Sequence, residues 1–224
     1  MRLSRGGVVA SLVYLVLGAA WAALSGDLLF AAWFVAVAAA GAFIPGEANQ
    51  VTLARAYLAA PALAYATQQQ FAGLAVTIAV ASVTDLLDGT VARRFAAPSQ
   101  FGGGLDPVVD GVFTGALVLG LAFGGTLPLW LAAVIIARYL LPALAGGLLL
   151  AMGRRPELRH TLMGQVSTVL ILVLVGGVCL FKALNQDANG LLQAAEVVIP
   201  LATVATYVNL GWALRRPVRV PEAG

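Results

Sequence analysis

Residues 70–124 read QFAGLAVTIAVASVTDLLDGTVARRFAAPSQFGGGLDPVVDGVFTGALVLGLAFG. Two apolar stretches, about 70–88 and 105–124, flank a centre that holds Asp85, Asp88, Asp106 and Asp110. Each stretch approaches the roughly 20 residues that a helix needs to cross a bilayer core of about 30 Å. Between them, Phe95–Gly104 contains Pro98, Ser99 and the run Gly102–Gly104, which reads as a helix break and reversal. The stretch is therefore expected to form two antiparallel spanning helices with the carboxylates gathered at one end.

Six further segments continue the pattern, at about 7–25, 27–44, 50–66, 127–152, 165–184 and 191–214. Short polar breaks separate them, among them Ser25-Gly26-Asp27, Thr67-Gln68-Gln69-Gln70 and Asn185-Gln186-Asp187. Of the 224 residues, 61% are hydrophobic and 10% charged, against about 25% charged in a soluble domain. The expected fold is all-α, a polytopic transmembrane bundle of about eight spans with no room for a soluble domain. Cys179 is the one cysteine, so a disulfide framework and a cysteine metal site are both excluded; it reads as a small core residue. No nucleic-acid partner is expected.

Basic residues set the orientation, because cytoplasmic loops accumulate Lys and Arg. Arg2, Arg5, Arg93, Arg94, Arg154, Arg155, Arg159, Arg215, Arg216 and Arg219 all fall on one side when the loops are numbered alternately, and Arg55 lies near that side. Lys182 lies opposite and Arg138 within a span. Both termini are expected in the cytoplasm. Arg2 and Arg5 followed by an apolar run and Ala20-Trp21-Ala22 also resemble a signal peptide; a run this long, with a second span directly after it, favours a retained helix.

An aspartate at the centre of a spanning helix costs roughly 3 kcal/mol on insertion scales, and clustered carboxylates repel one another. A divalent cation would offset both. Asp85 and Asp88 are three residues apart and Asp106 and Asp110 four apart, so each pair shares a helix face. All-oxygen ligation suits Mg²⁺ or Mn²⁺. Asp106 followed by Pro107 also fits an N-cap with proline at the first helical position. Asp85 and Asp88 have no such reading, since the macrodipole disfavours negative charge late in a helix.

The pattern Asp85-x-x-Asp88-Gly89-x-x-Ala92-Arg93, eight residues, then Gly102-x-x-x-Asp106-x-x-x-Asp110 resembles the signature of the CDP-alcohol phosphotransferases. The resemblance covers about residues 45–214 and divides the chain into a two-helix extension (1–45), a family-like membrane domain (46–216) and a tail (217–224). It implies that Asp85, Asp88, Asp106 and Asp110 hold two Mg²⁺ or Mn²⁺ ions, with Asp110 also the general base. It further implies that Gly89, Ala92, Arg93 and Gly102 meet the CDP-lipid. The reaction implied is transfer of a phosphatidyl group from CDP-diacylglycerol to an alcohol or alcohol phosphate, with release of CMP, by a homodimer in a bacterial cell membrane with its site on the cytoplasmic face. Asn49-x-x-Thr52-x-x-Arg55 and Leu105–Asp110 resemble the phosphatidylglycerophosphate and cardiolipin synthase branch; Gly111 and Gly164-Gln165 depart from it, where a basic residue and Gly-Lys are usual.

Arg55, Arg138, Arg154, Arg155 and Arg159 are candidates to hold an anionic acceptor such as glycerol 3-phosphate. Arg138 is the most pointed of them, since an intramembrane arginine usually faces a polar cavity; His160 and Arg94 read as solvated and Glu196 as interfacial. Cardiolipin synthesis and phosphatidylinositol phosphate synthesis are the neighbouring alternatives. A cation transporter is the reading from another class, but its ionisable groups would lie nearer the midplane.

Overall fold

The computed structural model describes residues 5–26, 30–44, 47–95, 102–152 and 162–215. All regular structure among them is helical: α1 (Arg5–Ser25), α2 (Ala31–Ala42), α3 (Glu47–Thr67), α4 (Phe71–Phe95), α5 (Gly102–Phe123), α6 (Leu129–Ala151), α7 (Leu162–Ala183) and α8 (Asn189–Arg215). By length and composition α1, Leu105–Phe123, Gly164–Ala183 and Asn189–Asn209 suffice to cross a membrane, and 31–42, 71–85 and 129–142 are shorter apolar helices. Large apolar side chains point outward, including Val9, Leu12, Val16 and Leu17 on α1 and Val197, Leu201, Val204 and Val208 on α8. Such a surface would drive association in water and suits lipid. This is a membrane-type helical bundle.

Two compact units make up the chain, Met1–Ala143 and Leu144–Gly224, and the boundary falls within α6. In the first unit α3 is the central helix, packed against α1, α2, α4 and α5. Its composition permits this: Ala54, Ala56, Ala59, Ala60, Ala62, Ala64 and Ala66 are all buried, and small side chains let backbones approach closely. In the second unit α7 and α8 pack through Ile171, Leu174, Val175, Val178 and Cys179 on one side and Ala195 and Ile199 on the other.

The same device ends three helices. Gln69, Gly125 and Asn185 have φ of 58°, 72° and 55°, and the following N–H bonds back to the last turn: Gln70 to Tyr65 O at 2.8 Å, Thr126 to Leu121 O at 2.8 Å, Gln186 to Phe181 O at 2.8 Å. Left-handed residues of this kind satisfy carbonyls that a helix end orphans. At the start of α8, Asp187 Oδ1 accepts from the Asn189 N–H at 2.9 Å.

Two local expectations are corrected. Gly102–Gly104 is no break but the first turn of α5, and residues 96–101, with Pro98 and Ser99, lie outside the described residues. Asp106 is consequently no N-cap: it sits inside α5, with Pro107 behind it. Pro107, the sixth residue of α5, has no N–H to give the Gly103 carbonyl, so the helix goes without that one bond.

Candidate active site

Three helices of the first unit bring the acidic residues together. Asp85 comes from α4, Asp106 and Asp110 from successive turns of α5, and all three meet Arg55 of α3. Arg55 Nη1 donates to Asp85 Oδ1 at 2.7 Å and to Asp110 Oδ1, and Nη2 lies 3.5 Å from Asp106 Oδ1. Thr52, one turn earlier on α3, donates from Oγ1 to Asp106 Oδ1 at 2.8 Å.

Burial is graded. The Arg55 side chain is 6% exposed, while those of Asp85, Asp106 and Asp110 are 62%, 52% and 41% exposed. The guanidinium thus forms a floor and the carboxylates a partly open rim above it. A buried cation needs such partners, since an uncompensated one costs several kcal/mol. The rim still carries more negative than positive charge, so the donor set suits a hard, oxygen-seeking cation. Drawn toward Arg55, the described carboxylates do not alone close into a three-ligand cation site among the described residues.

The α4 backbone continues regularly through Asp88, Gly89, Ala92 and Arg93, whose side chains lie outside the described residues. Gly102 opens α5. Arg154, Arg155, Arg159 and His160 also lie outside them. Arg138 does not: it is 7% exposed within α6, its guanidinium carbon 5.4 Å from the centroid of the Tyr139 ring. Tyr139 Cβ would lie 3.5 Å from a Cβ at Gly111, so this turn of α6 passes the residue that follows Asp110.

Thr52, which bonds Asp106, is the residue of this cluster that sequence reasoning left out of the site. Its signal is the spacing Asn49-x-x-Thr52-x-x-Arg55, which on a helix sets all three on neighbouring positions of one face. Arg55 was expected near an acceptor; the structure seats it beneath the carboxylates.

A membrane-type helical bundle gathers Asp85 of one helix and Asp106 and Asp110 of the next around Arg55, and sequence comparison gives the class of protein. The CDP-alcohol phosphatidyltransferase family profile matches residues 47–208, and the chain belongs to that family. A probable cardiolipin synthase (CMP-forming) of Drosophila melanogaster is 30% identical over 72% of this chain and 55% of its own length. A probable phosphatidylglycerophosphate synthase of Mycobacterium tuberculosis is 32% identical over 59% of each chain, and a cardiolipin synthase of Streptomyces coelicolor 36% over 61% of each. The matched region thus spans somewhat more than half the length of these relatives. No solved structure matches. The family is typically dependent on divalent metal.

Proposed function

We propose that this protein transfers a phosphatidyl group from CDP-diacylglycerol to glycerol 3-phosphate, releasing CMP, at the cytoplasmic face of a membrane. The observation that carries the reading is the rim of Asp85, Asp106 and Asp110 held by Arg55 and Thr52, within the complete family signature. Asp85, Asp88, Asp106 and Asp110 would hold Mg²⁺ or Mn²⁺, as two ions, which supply charge neutralisation for the diphosphate.

The chain's own residues do the rest. Gly89, Ala92, Arg93 and Gly102 take the cytidine diphosphate end of the donor, as the family signature implies. Arg55 and Thr52 each engage Oδ1 of the carboxylates they touch, which fixes the carboxylate planes much as outer hydrogen bonds orient metal ligands elsewhere. Asp110 takes the proton of the acceptor hydroxyl. The hydroxyl oxygen forms a new bond to the phosphorus that bears diacylglycerol, the bond from that phosphorus to the CMP oxygen breaks, and CMP leaves. Arg138, buried within α6, holds the acceptor's phosphate; Arg154, Arg155 and Arg159 remain further candidates for an anionic acceptor. Arg55, seated among carboxylates, serves the rim instead.

A second reading has its own support. Relatives named cardiolipin synthase match as well as those named phosphatidylglycerophosphate synthase, and phosphatidylglycerol would then be the acceptor. The test is purified protein with labelled CDP-diacylglycerol and, in turn, glycerol 3-phosphate, phosphatidylglycerol, inositol phosphate, glycerol and serine, with products identified by mass. CMP release fastest with glycerol 3-phosphate, and lost in excess EDTA, is the expected result. Preference for phosphatidylglycerol selects the second reading. Full turnover in EDTA, or no CMP with any acceptor, removes the proposal.

A further inference from the structure

The family's matched region begins at residue 47, after α1 and α2. These two helices nevertheless pack on the helices that build the site. One buried cluster combines Ala22 of α1, Phe34, Val37 and Ala38 of α2, Leu53, Ala56, Tyr57 and Ala60 of α3, and Val109 of α5. Leu53 and Ala56 directly follow Thr52 and Arg55, and Val109 sits between Asp106 and Asp110. The apolar cluster and the carboxylate rim are therefore adjoining faces of the same helical turns.

Directional contacts lock the packing in place. Trp33 Nε1 donates to Ala56 O at 2.8 Å. That oxygen lies on the residue after Arg55, and a carbonyl has a second lone pair to spare beside its helical bond. Gln50, two residues before Thr52, donates from Nε2 to Gly41 O at 3.1 Å and Ile44 O at 2.7 Å, at the α2 C-terminus, where Gly41 O also accepts the Ile44 N–H at 3.1 Å. At the same point α1 comes so close that a Cβ at Gly7 would lie 2.8 Å from Gly41 O and 3.2 Å from Gln50 Nε2. The Tyr14 and Tyr57 rings stack nearby, with centroids 4.7 Å apart and planes at 30°. Apolar packing alone would let α3 slide or turn; hydrogen bonds of fixed direction set its rotation.

We propose that the α1–α2 hairpin is a positioning element of the carboxylate site, acting through Trp33 and Gln50 on α3 and through Val109 on α5. It sets where Thr52 and Arg55 stand against Asp85, Asp106 and Asp110. The inference rests on the proposed function, since it takes the rim to be where cation and substrate bind. Trp33 and Gln50 touch neither; they are positioning residues. Displacements of about 1 Å at a reacting centre can cost about 100-fold in rate, so a small rotation of α3 is enough to matter.

The molecule supplies its own control. Trp21 of α1 makes the same kind of contact at the far end of α3, donating from Nε1 to Tyr65 OH at 2.8 Å. Tyr65 lies ten residues beyond Arg55, about 15 Å along a helix. Trp33→Phe and Trp21→Phe each remove one N–H and keep an aromatic ring. Both would be prepared as the full chain, with Mn²⁺ affinity read from the free-ion resonance, CMP release measured as kcat and KM, and thermal midpoint recorded. Trp33→Phe should weaken Mn²⁺ binding about 3- to 10-fold and lower kcat about tenfold, with the KM for CDP-diacylglycerol within about twofold. Trp21→Phe should leave Mn²⁺ affinity and kcat as they are while lowering the midpoint comparably. If Trp33→Phe does not fold, Gln50→Met read the same way carries the test. Equal effects of the two tryptophans on Mn²⁺ affinity, or none from either, would overturn the inference. Wild-type protein that takes up no Mn²⁺ would instead overturn the proposed function, so the two failures are separable.

Discussion

Near Gly120 and Gly124, α5 lies against α3 with no room for a methyl group: a Cβ at Gly120 would fall 2.7 Å from Ala66 Cβ, and one at Gly124 2.5 Å from Ala66 O. Toward the other end of the same two helices, Thr52 and Arg55 face Asp106 and Asp110 across hydrogen bonds and ion pairs. The first contact is backbone against backbone, satisfied by dispersion and needing no partner. The second gathers like charges that would separate without Arg55. One pair of helices is thus joined by close backbone packing at one end and by ion pairs and a hydrogen bond at the other. Substitutions at the two ends should fail in different ways.

The largest effect is expected at the charged end. Asp110→Asn keeps the shape and one carbonyl oxygen but cannot accept the hydroxyl proton, so kcat should fall by about 10²–10⁴-fold while CDP-lipid still binds. Asp88→Asn should weaken metal-dependent CDP-lipid binding itself. Steady-state CMP release beside equilibrium binding of the donor separates the two, and near-normal turnover in Asp110→Asn would assign the base elsewhere. At the packed end, Gly120→Ala should act on stability. The added methyl meets the Leu63 carbonyl at 2.8 Å, and forced overpacking costs about 1–3 kcal/mol, partly offset by the better helix propensity of alanine. A lower thermal midpoint with unchanged Mn²⁺ affinity is the expected pair of results; a loss of Mn²⁺ affinity would mean that strain at one end reaches the other.

The smallest effect is expected beside the rim, at Arg138. Arg138→Ala should raise the KM for glycerol 3-phosphate about tenfold, equivalent to about 1.4 kcal/mol, and leave that for CDP-diacylglycerol alone. Both values come from the same CMP-release assay. An unchanged acceptor KM would return Arg138 to a packing role over Tyr139.

The contrast between the two ends also explains what was legible beforehand. Helices announce themselves by apolar length, and eight segments read from hydropathy correspond to α1–α8 with ends shifted by a few residues. The aspartates announce themselves because spacing of three and four survives in one dimension. Glycine is ambiguous by nature. Gly102–Gly104 read as a break because glycine disfavours helix, yet it opens α5. Thr52 stood in the spacing Asn49-x-x-Thr52-x-x-Arg55 but was not assigned to the site, because threonine beside an apolar run is ordinary; its donation to Asp106 places it there. Trp33 offered no signal at all, since aromatic side chains are common in spans and its acceptor is the backbone of another helix.

Cys179 lies in the interior of α7 with no exposed surface, and it is the one thiol in the chain. Thiol chemistry depends on access, and a fully buried sulfur offers a polar reagent none. The native protein is therefore a nearly silent background for site-directed labelling. A cysteine introduced in the α3–α4 turn, and another at the start of α1, could each be modified without first removing the natural one. Impermeant maleimides added from either side of a sealed vesicle would then read the sidedness of each helix end directly, and spin labels at the same positions would follow the hairpin against α3 without disturbing a single native contact in α7.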